Sequence, residues 1–185
     1  MLWIQRSHGV CDEQAIVIDA FKRFPSRPAR WVYGVSFRVE GGDIYHRAYE
    51  LQRTEMLTMR LLKSKHLEYI AALALVIANV LRENPFGLTA ITKVYICRDL
   101  TPPDELEFRV ALERIVFRVL HRKIHVSLVT RSEARSTPKL FKLYQVAHSA
   151  AGRARVKNVK NLEREHKLLY KILRAVESMP RWRKK

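Results

Sequence analysis

Three acidic residues, Asp19, Glu68 and Asp99, stand where carboxylates could act together. Asp19 closes the apolar run Ala15-Ile16-Val17-Ile18, and Asp99 closes Val94-Tyr95-Ile96-Cys97-Arg98. Short continuous apolar runs rich in β-branched residues read as strands buried on both faces. Side by side and parallel, two such strands release their acids at one sheet edge, where α/β proteins build sites. Glu68 opens the stretch Tyr69-Ile70-Ala71-Ala72-Leu73-Ala74-Leu75-Val76, which reads as a helix laid across that sheet and able to deliver a third carboxylate. Clustered carboxylates raise one another's pKa unless cations neutralise them. Mg²⁺ or Mn²⁺, as hard oxygen-seeking ions, are the expected partners. Two such ions about 4 Å apart can activate a water and steady the leaving oxygen of a phosphodiester. Each acid also has a plainer role. Strand-ending Asp residues often serve only the turn, and an acid in a first helical turn gains up to ~1 kcal/mol from the helix dipole.

The elements that must hold these acids follow from periodicity. After the run ending at Asp19, residues 21–30 carry Lys22, Arg23, Arg27 and Arg30 with Pro25 and Pro28, so a basic loop is expected. Trp31 to Val39 alternates and is aromatic and β-branched; Glu40-Gly41-Gly42-Asp43 is a turn; Ile44 to Leu51 returns. Residues 52–63 fit either a short strand or a helical turn. The helix of Glu68 is expected from about Lys65 to Glu83, stopped by Asn84-Pro85-Phe86-Gly87. After the strand ending at Asp99, Pro102-Pro103-Asp104-Glu105 begins a helix with apolar positions up to Leu120. Ile124 to Thr130 is a further strand, residues 131–138 a polar connection, and Leu140 to Ala151 a short helix. Strands in an antiparallel run followed by alternating strand and helix predict an α/β fold with a mixed five-stranded sheet flanked by helices.

The chain of 185 residues suits one domain with an appended segment, and 48% apolar content supports a sizeable core. Its formal charge of +17 and pI near 10.3 point to polyanionic partners. Residues 152–185 hold 12 Lys and Arg against three Glu, about half of the excess. The expected organisation is therefore a domain over 1–151 and a basic helical C-terminal arm over 152–185. The longest apolar run, Tyr69 to Leu81, falls short of the about 20 residues a bilayer span needs, so no membrane partner is expected. Cys11 and Cys97 form no Cys-x-x-Cys pair; reduced thiols in the cytoplasm are the expectation. His121 and His125 straddle a helix end and a strand, a poor arrangement for a metal.

This order of elements resembles the ribonuclease H family of type 1. The residues that carry the resemblance are Asp19 at the end of the first strand, Tyr33-Gly34-Val35 in the second, Glu68-Tyr69-Ile70-Ala71-Ala72-Leu73-Ala74-Leu75 opening the first helix, and Val94-Tyr95-Ile96-Cys97-Arg98-Asp99. It covers roughly residues 13–150. The resemblance implies a central first strand and a metal-dependent nuclease. Asp19, Glu68 and Asp99 would hold Mg²⁺ or Mn²⁺, and the substrate would be RNA in an RNA–DNA hybrid or a related nucleic acid. The phosphate backbone would be gripped by Lys22, Arg23, Arg27 and Arg30 and by Arg153, Arg155, Lys157 and Lys160. The chain departs from the family at one corner. Ribonucleases H usually carry a fourth acid at the start of the last helix; here Tyr144 occupies the matching stretch, and no acid lies between Glu133 and Glu163. His148, one helical turn later, is a candidate replacement. The alternative expectation is a catalytically impaired nucleic-acid-binding protein of the same fold within a ribonucleoprotein; a recombination or transposition relative acting on DNA is a third.

Overall fold

Ala15–Lys22 forms β1, the strand around which the others are arranged. Ile16, Val17 and Ile18 are fully buried, because helices cover both faces of the sheet at this strand. Alternation sends Ile16 and Ile18 into one core cluster and Val17 into a second on the opposite face. The computed structural model describes residues 15–22, 31–38, 43–51, 58–62, 64–82, 91–97, 105–153, 159–161 and 166–179.

The sheet contains β1, β2 (Trp31–Arg38), β3 (Ile44–Glu50), β4 (Lys93–Cys97), β5 (His125–Val129) and β6 (Val159–Asn161). Their order across the sheet is β5-β4-β1-β2-β3-β6. β1, β2 and β3 pair antiparallel in sequence, whereas β4 runs parallel to β1 and β5 parallel to β4. The five expected strands are present, with the first inside the sheet, and the sheet is mixed. One face carries α1 (Lys65–Arg82), α2 (Glu105–Leu120) and α5 (His166–Glu177), which touch one another. The other carries α4 (Pro138–Arg153), which crosses β1, β2 and β3, with the short α3 (Arg131–Arg135) against it. α1 is apolar almost all round because it lies between the sheet and its two neighbouring helices: Ile70 to Val80 is buried throughout. Asn79, the polar exception, donates from Nδ2 to the Leu75 carbonyl at 2.9 Å, so its amide is not left unpaired.

Two expectations need correction. Residues 152–185 were expected as an appended basic arm, but their described part is built into the fold. Val159–Asn161 adds a sixth strand parallel to β3, and Leu168, Leu169, Ile172 and Val176 of α5 are buried in the main core. The expected helix is present, but its apolar side completes the α1–α2 layer instead of standing apart as an arm. The connection at 131–138 contains α3 rather than irregular chain. Thr130 Oγ1 accepts from the Glu133 amide at 3.1 Å, while Glu133 Oε2 accepts from the Thr130 amide at 2.7 Å. That reciprocal pair is a capping box, legible as Thr-x-x-Glu. Within the ambiguous stretch 52–63, Thr58–Arg60 forms a helical turn with Met59 buried in the main core.

α4 is held very close to the sheet, and β2 explains why. Gly34 and Ser36 point to the α4 side. A Cβ added at Gly34 would overlap the Ala147 carbonyl and lie 2.7 Å from the Ala151 nitrogen. Ser36 Oγ donates to the Leu143 carbonyl at 2.7 Å, one turn earlier on the same helix. A missing side chain and a short polar one thus set both the depth and the register of α4.

Candidate active site

Asp19 is the residue this seating exposes to α4. In register it lies opposite Gly34 of β2, which in turn lies opposite Ala48 of β3. Small groups beside Asp19 leave room for the helix, and α4 delivers His148 onto the carboxylate: His148 Nδ1 lies 2.7 Å from Asp19 Oδ2. The Asp19 side chain is 1% exposed and that of His148 60% exposed, so the pair joins the interior to the surface. An ionised carboxylate only accepts, so with Asp19 charged the His148 Nδ1 carries the hydrogen. The other carboxylate oxygen, Asp19 Oδ1, is buried with no hydrogen-bond partner. An orphaned buried acceptor costs about 1–3 kcal/mol, more when charged. Asp19 is therefore an expensive residue for structure alone.

The His148 ring is itself held from behind. It stacks on Tyr144 at 6.4 Å between ring centroids and 11° between planes; Tyr144 stacks on Phe141 at 6.4 Å and 17°; the Arg135 guanidinium lies 5.7 Å over the Phe141 ring. Spacings of three and four residues place these rings along one side of α4. Tyr144, standing where the family resemblance implies an acid, is a buried support for His148.

Glu68 lies in the first turn of α1 and is half-buried. The Tyr69 ring contact with Phe108, and the place of Tyr69 in the same core cluster as Tyr33, locate that turn. The Tyr69 ring stacks on Phe108 at 5.5 Å, and Phe108 belongs to the first turn of α2, the helix that follows β4. Tyr69 also bears on Tyr33, whose hydroxyl pKa is pushed well above the ordinary tyrosine value by burial, with Tyr69 adding to the rise. Tyr33 lies opposite Ala20, the residue after Asp19. The start of α1 therefore lies over β1 near Ala20, the residue after Asp19. α1 and α4 occupy opposite faces, so Glu68 and His148 approach this end of the sheet from opposite sides. Asp99 lies outside the described residues; β4 is described to Cys97, beside β1 in parallel register with Ile96 opposite Ile18. Among the described residues no group of three His, Cys, Asp or Glu side chains is gathered closely enough to hold a metal. The pair brought together is Asp19 with His148, 129 residues apart.

Of the expected phosphate-gripping residues, Lys22 ends β1 opposite Trp31, Arg153 ends α4, and Lys160 lies in β6 opposite Tyr49. Arg23, Arg27, Arg30, Arg155 and Lys157 lie outside the described residues. Sequence reasoning missed a groove of about 530 Å³ between the start of β3 and α4, bordered by Asp43, His46, Lys142, Gln145 and Ser149. Its signal was available in Lys142, Gln145 and Ser149, which recur at helical spacing, but the register of α4 against β3 was not. At the far edge of the sheet, His125 Nδ1 stands 3.2 Å from Glu113 Oε1, which also accepts from the Val126 amide at 2.7 Å. Arg109 Nε donates to the Val126 carbonyl at 2.8 Å, so α2 satisfies the outer backbone groups of Val126 on edge strand β5. Among the described residues no helix is long and apolar enough to cross a membrane. Compared with known proteins, the chain matches no family model, no curated protein and no solved structure.

Proposed function

We propose that this protein is a metal-dependent nuclease of the ribonuclease H type, cleaving RNA in an RNA–DNA hybrid or a closely related nucleic acid. The observation that carries the proposal is the buried carboxylate of Asp19 in the central strand, just past the last residue paired with β4, with one oxygen unpartnered. Three further features support it. The strands occur as an antiparallel run followed by parallel additions; the first turn of α1, with Glu68, overlies the same part of β1; and the chain carries a large excess of positive charge. In this reading Asp19, Glu68 and Asp99 hold Mg²⁺ or Mn²⁺, which when bound would supply an activated water and charge relief at the scissile phosphate. Asp19 contributes a desolvated carboxylate whose position is fixed by Gly34 and by His148. Lys142 beside the β3–α4 groove, with Lys22 and the cations of 23–30 and 153–160, attracts the phosphate backbone. The 2′-hydroxyls of the wide minor groove would distinguish the RNA strand. The test is cleavage of an end-labelled hybrid with Mg²⁺ or Mn²⁺. Wild-type protein should cut and Asp19→Asn should not. A folded wild type that binds the hybrid yet leaves it intact would defeat the proposal.

A second reading is a binding protein in which catalysis has been lost. The observation in its favour is that His148, not a carboxylate, engages Asp19. It predicts hybrid binding that weakens steeply with salt, is unchanged by Asp19→Asn, and is never accompanied by cleavage.

A further inference from the structure

We infer that nucleic acid docks on the α3–α4 side of the sheet, with the phosphates of one strand laid along α4 in the groove between that helix and the start of β3. The inference rests on the proposed function only in taking nucleic acid as the partner.

The two helical layers present different chemistry to solvent. From Arg131 to Ser149, every exposed side chain except Glu133 and Pro138 can donate a hydrogen bond, and Arg131, Arg135, Lys139 and Lys142 carry positive charge. Glu133, the one acid, is turned back onto the Thr130 amide at 2.7 Å. Among the described residues, the exposed large apolar side chains are Leu61, Leu106, Phe117 and Tyr170, none of them in α3 or α4. The opposite layer, by contrast, exposes Leu106, Phe117 and Tyr170 together with the acids Glu107 and Glu177. A protein partner needs an apolar centre to its footprint, which the α3–α4 side does not offer. Phosphate oxygens only accept, and Arg, Lys, Ser, Thr and Gln are the side chains that bind them.

The groove of about 530 Å³ gives this face a direction. Lys142, Gln145 and Ser149 border it from α4 and His46 from β3; Asp43 is the one carboxylate at its edge. Lys142 to Ser149 is two helical turns, about 10 Å. That is the axial rise of about three nucleotides of one strand. The same helix brings His148 to Asp19, so a strand seated along it lies roughly one helix width from the buried carboxylate.

Binding is read without cleavage, by fluorescence anisotropy of a labelled RNA–DNA hybrid at several salt concentrations and without divalent ions. Two variants each lose three exposed cations: Arg131→Gln/Lys139→Gln/Lys142→Gln on this side, and Arg114→Gln/Lys167→Gln/Lys171→Gln on the other. The first should flatten the salt dependence by about 0.9 per cation and weaken binding at ~0.1 M salt at least about tenfold. The second should stay within about twofold of wild type, because exposed charges more than about 10 Å away are screened. In wild type, hybrid should protect Lys139 and Lys142 from acetylation and leave Lys167 and Lys171 reactive, a measurement that needs no variant to fold. Equal losses in the two variants, a larger loss in the second, or unprotected Lys139 and Lys142 would each overturn the inference. Phosphatidylserine vesicles that protect these lysines as well as the hybrid does would overturn it too. Docking on this face by a wild type that never cuts would remove the nuclease reading alone. Cutting by a wild type whose Lys139 and Lys142 stay reactive would remove the docking face alone. A wild type that binds no hybrid would remove both.

Discussion

Replacing Gly34 by Ala tests the link between the fold and the site. The added methyl has no space. It overlaps the Ala147 carbonyl and approaches the Ala151 nitrogen to 2.7 Å, and both obstacles are helix backbone rather than movable side-chain ends. α4 must therefore lift off β2. Forced overpacking in a tight interior costs typically ~1–3 kcal/mol. Lifting α4 also stretches the Ser36–Leu143 hydrogen bond, worth about 1 kcal/mol. Together the loss is about 2–4 kcal/mol. For a chain of this size, each kcal/mol lowers Tm by roughly 2–4 °C, so a drop on the order of 5–15 °C is expected. The same movement carries His148, the residue after Ala147, away from Asp19. Thermal unfolding by circular dichroism measures the first effect, and the His148 Nδ1 proton resonance reports the second. A variant that melts within about a degree of wild type and keeps the His148 signal unchanged would show that α4 is not seated by Gly34.

Other substitutions separate stability from site chemistry. Asp19→Asn should abolish hybrid cleavage yet leave Tm unchanged or raised, because it removes a buried charge with an unpaired oxygen while keeping an acceptor for His148; cleavage assays and calorimetry on one preparation check both. Truncation after Arg153 should abolish cooperative unfolding, since α5 supplies Leu168, Leu169, Ile172 and Val176 to the main core; a sharp urea transition in the truncated chain would restore the arm as a separate unit. Tyr33 predicts a loss of stability in alkali. Its folded-state pKa is raised, so the folded protein holds the phenolic proton after the unfolded chain has released it. The contribution is fully present below about pH 10, the unfolded value, and declines as pH rises above it toward the folded pKa. Urea midpoints should fall from pH 9 to 11 in wild type and fall less in Tyr33→Phe.

The elements were largely legible because their signals are local. Ala15–Ile18 and Val94–Cys97 are continuous apolar runs, and both became strands buried from two sides. The apolar helix behind Glu68 ends at Arg82, near the Asn-Pro stop. β6 was not legible, because three residues, Val-Lys-Asn, carry no periodicity, and its pairing with β3 is a contact across the chain. α5 was visible as a period but was assigned to an arm, since its basic residues outweighed its apolar ones in a charge count.

The sequence by itself determined which residues could become ligands. Glu68 had to fall near the start of a helix, because helix-start signals act over a few residues; Asp19, expected to close its strand before a basic loop at 21–30, instead lies inside it, because pairing with β2 carries β1 on to Lys22. Only the tertiary structure decided that Asp19 would meet His148. That pairing depends on how deeply and in what register α4 crosses β2. Gly34 sets the depth by lacking a Cβ, and Ser36 sets the register by its hydrogen bond to Leu143. Contacts 129 residues apart along the chain follow from packing, which no local pattern specifies.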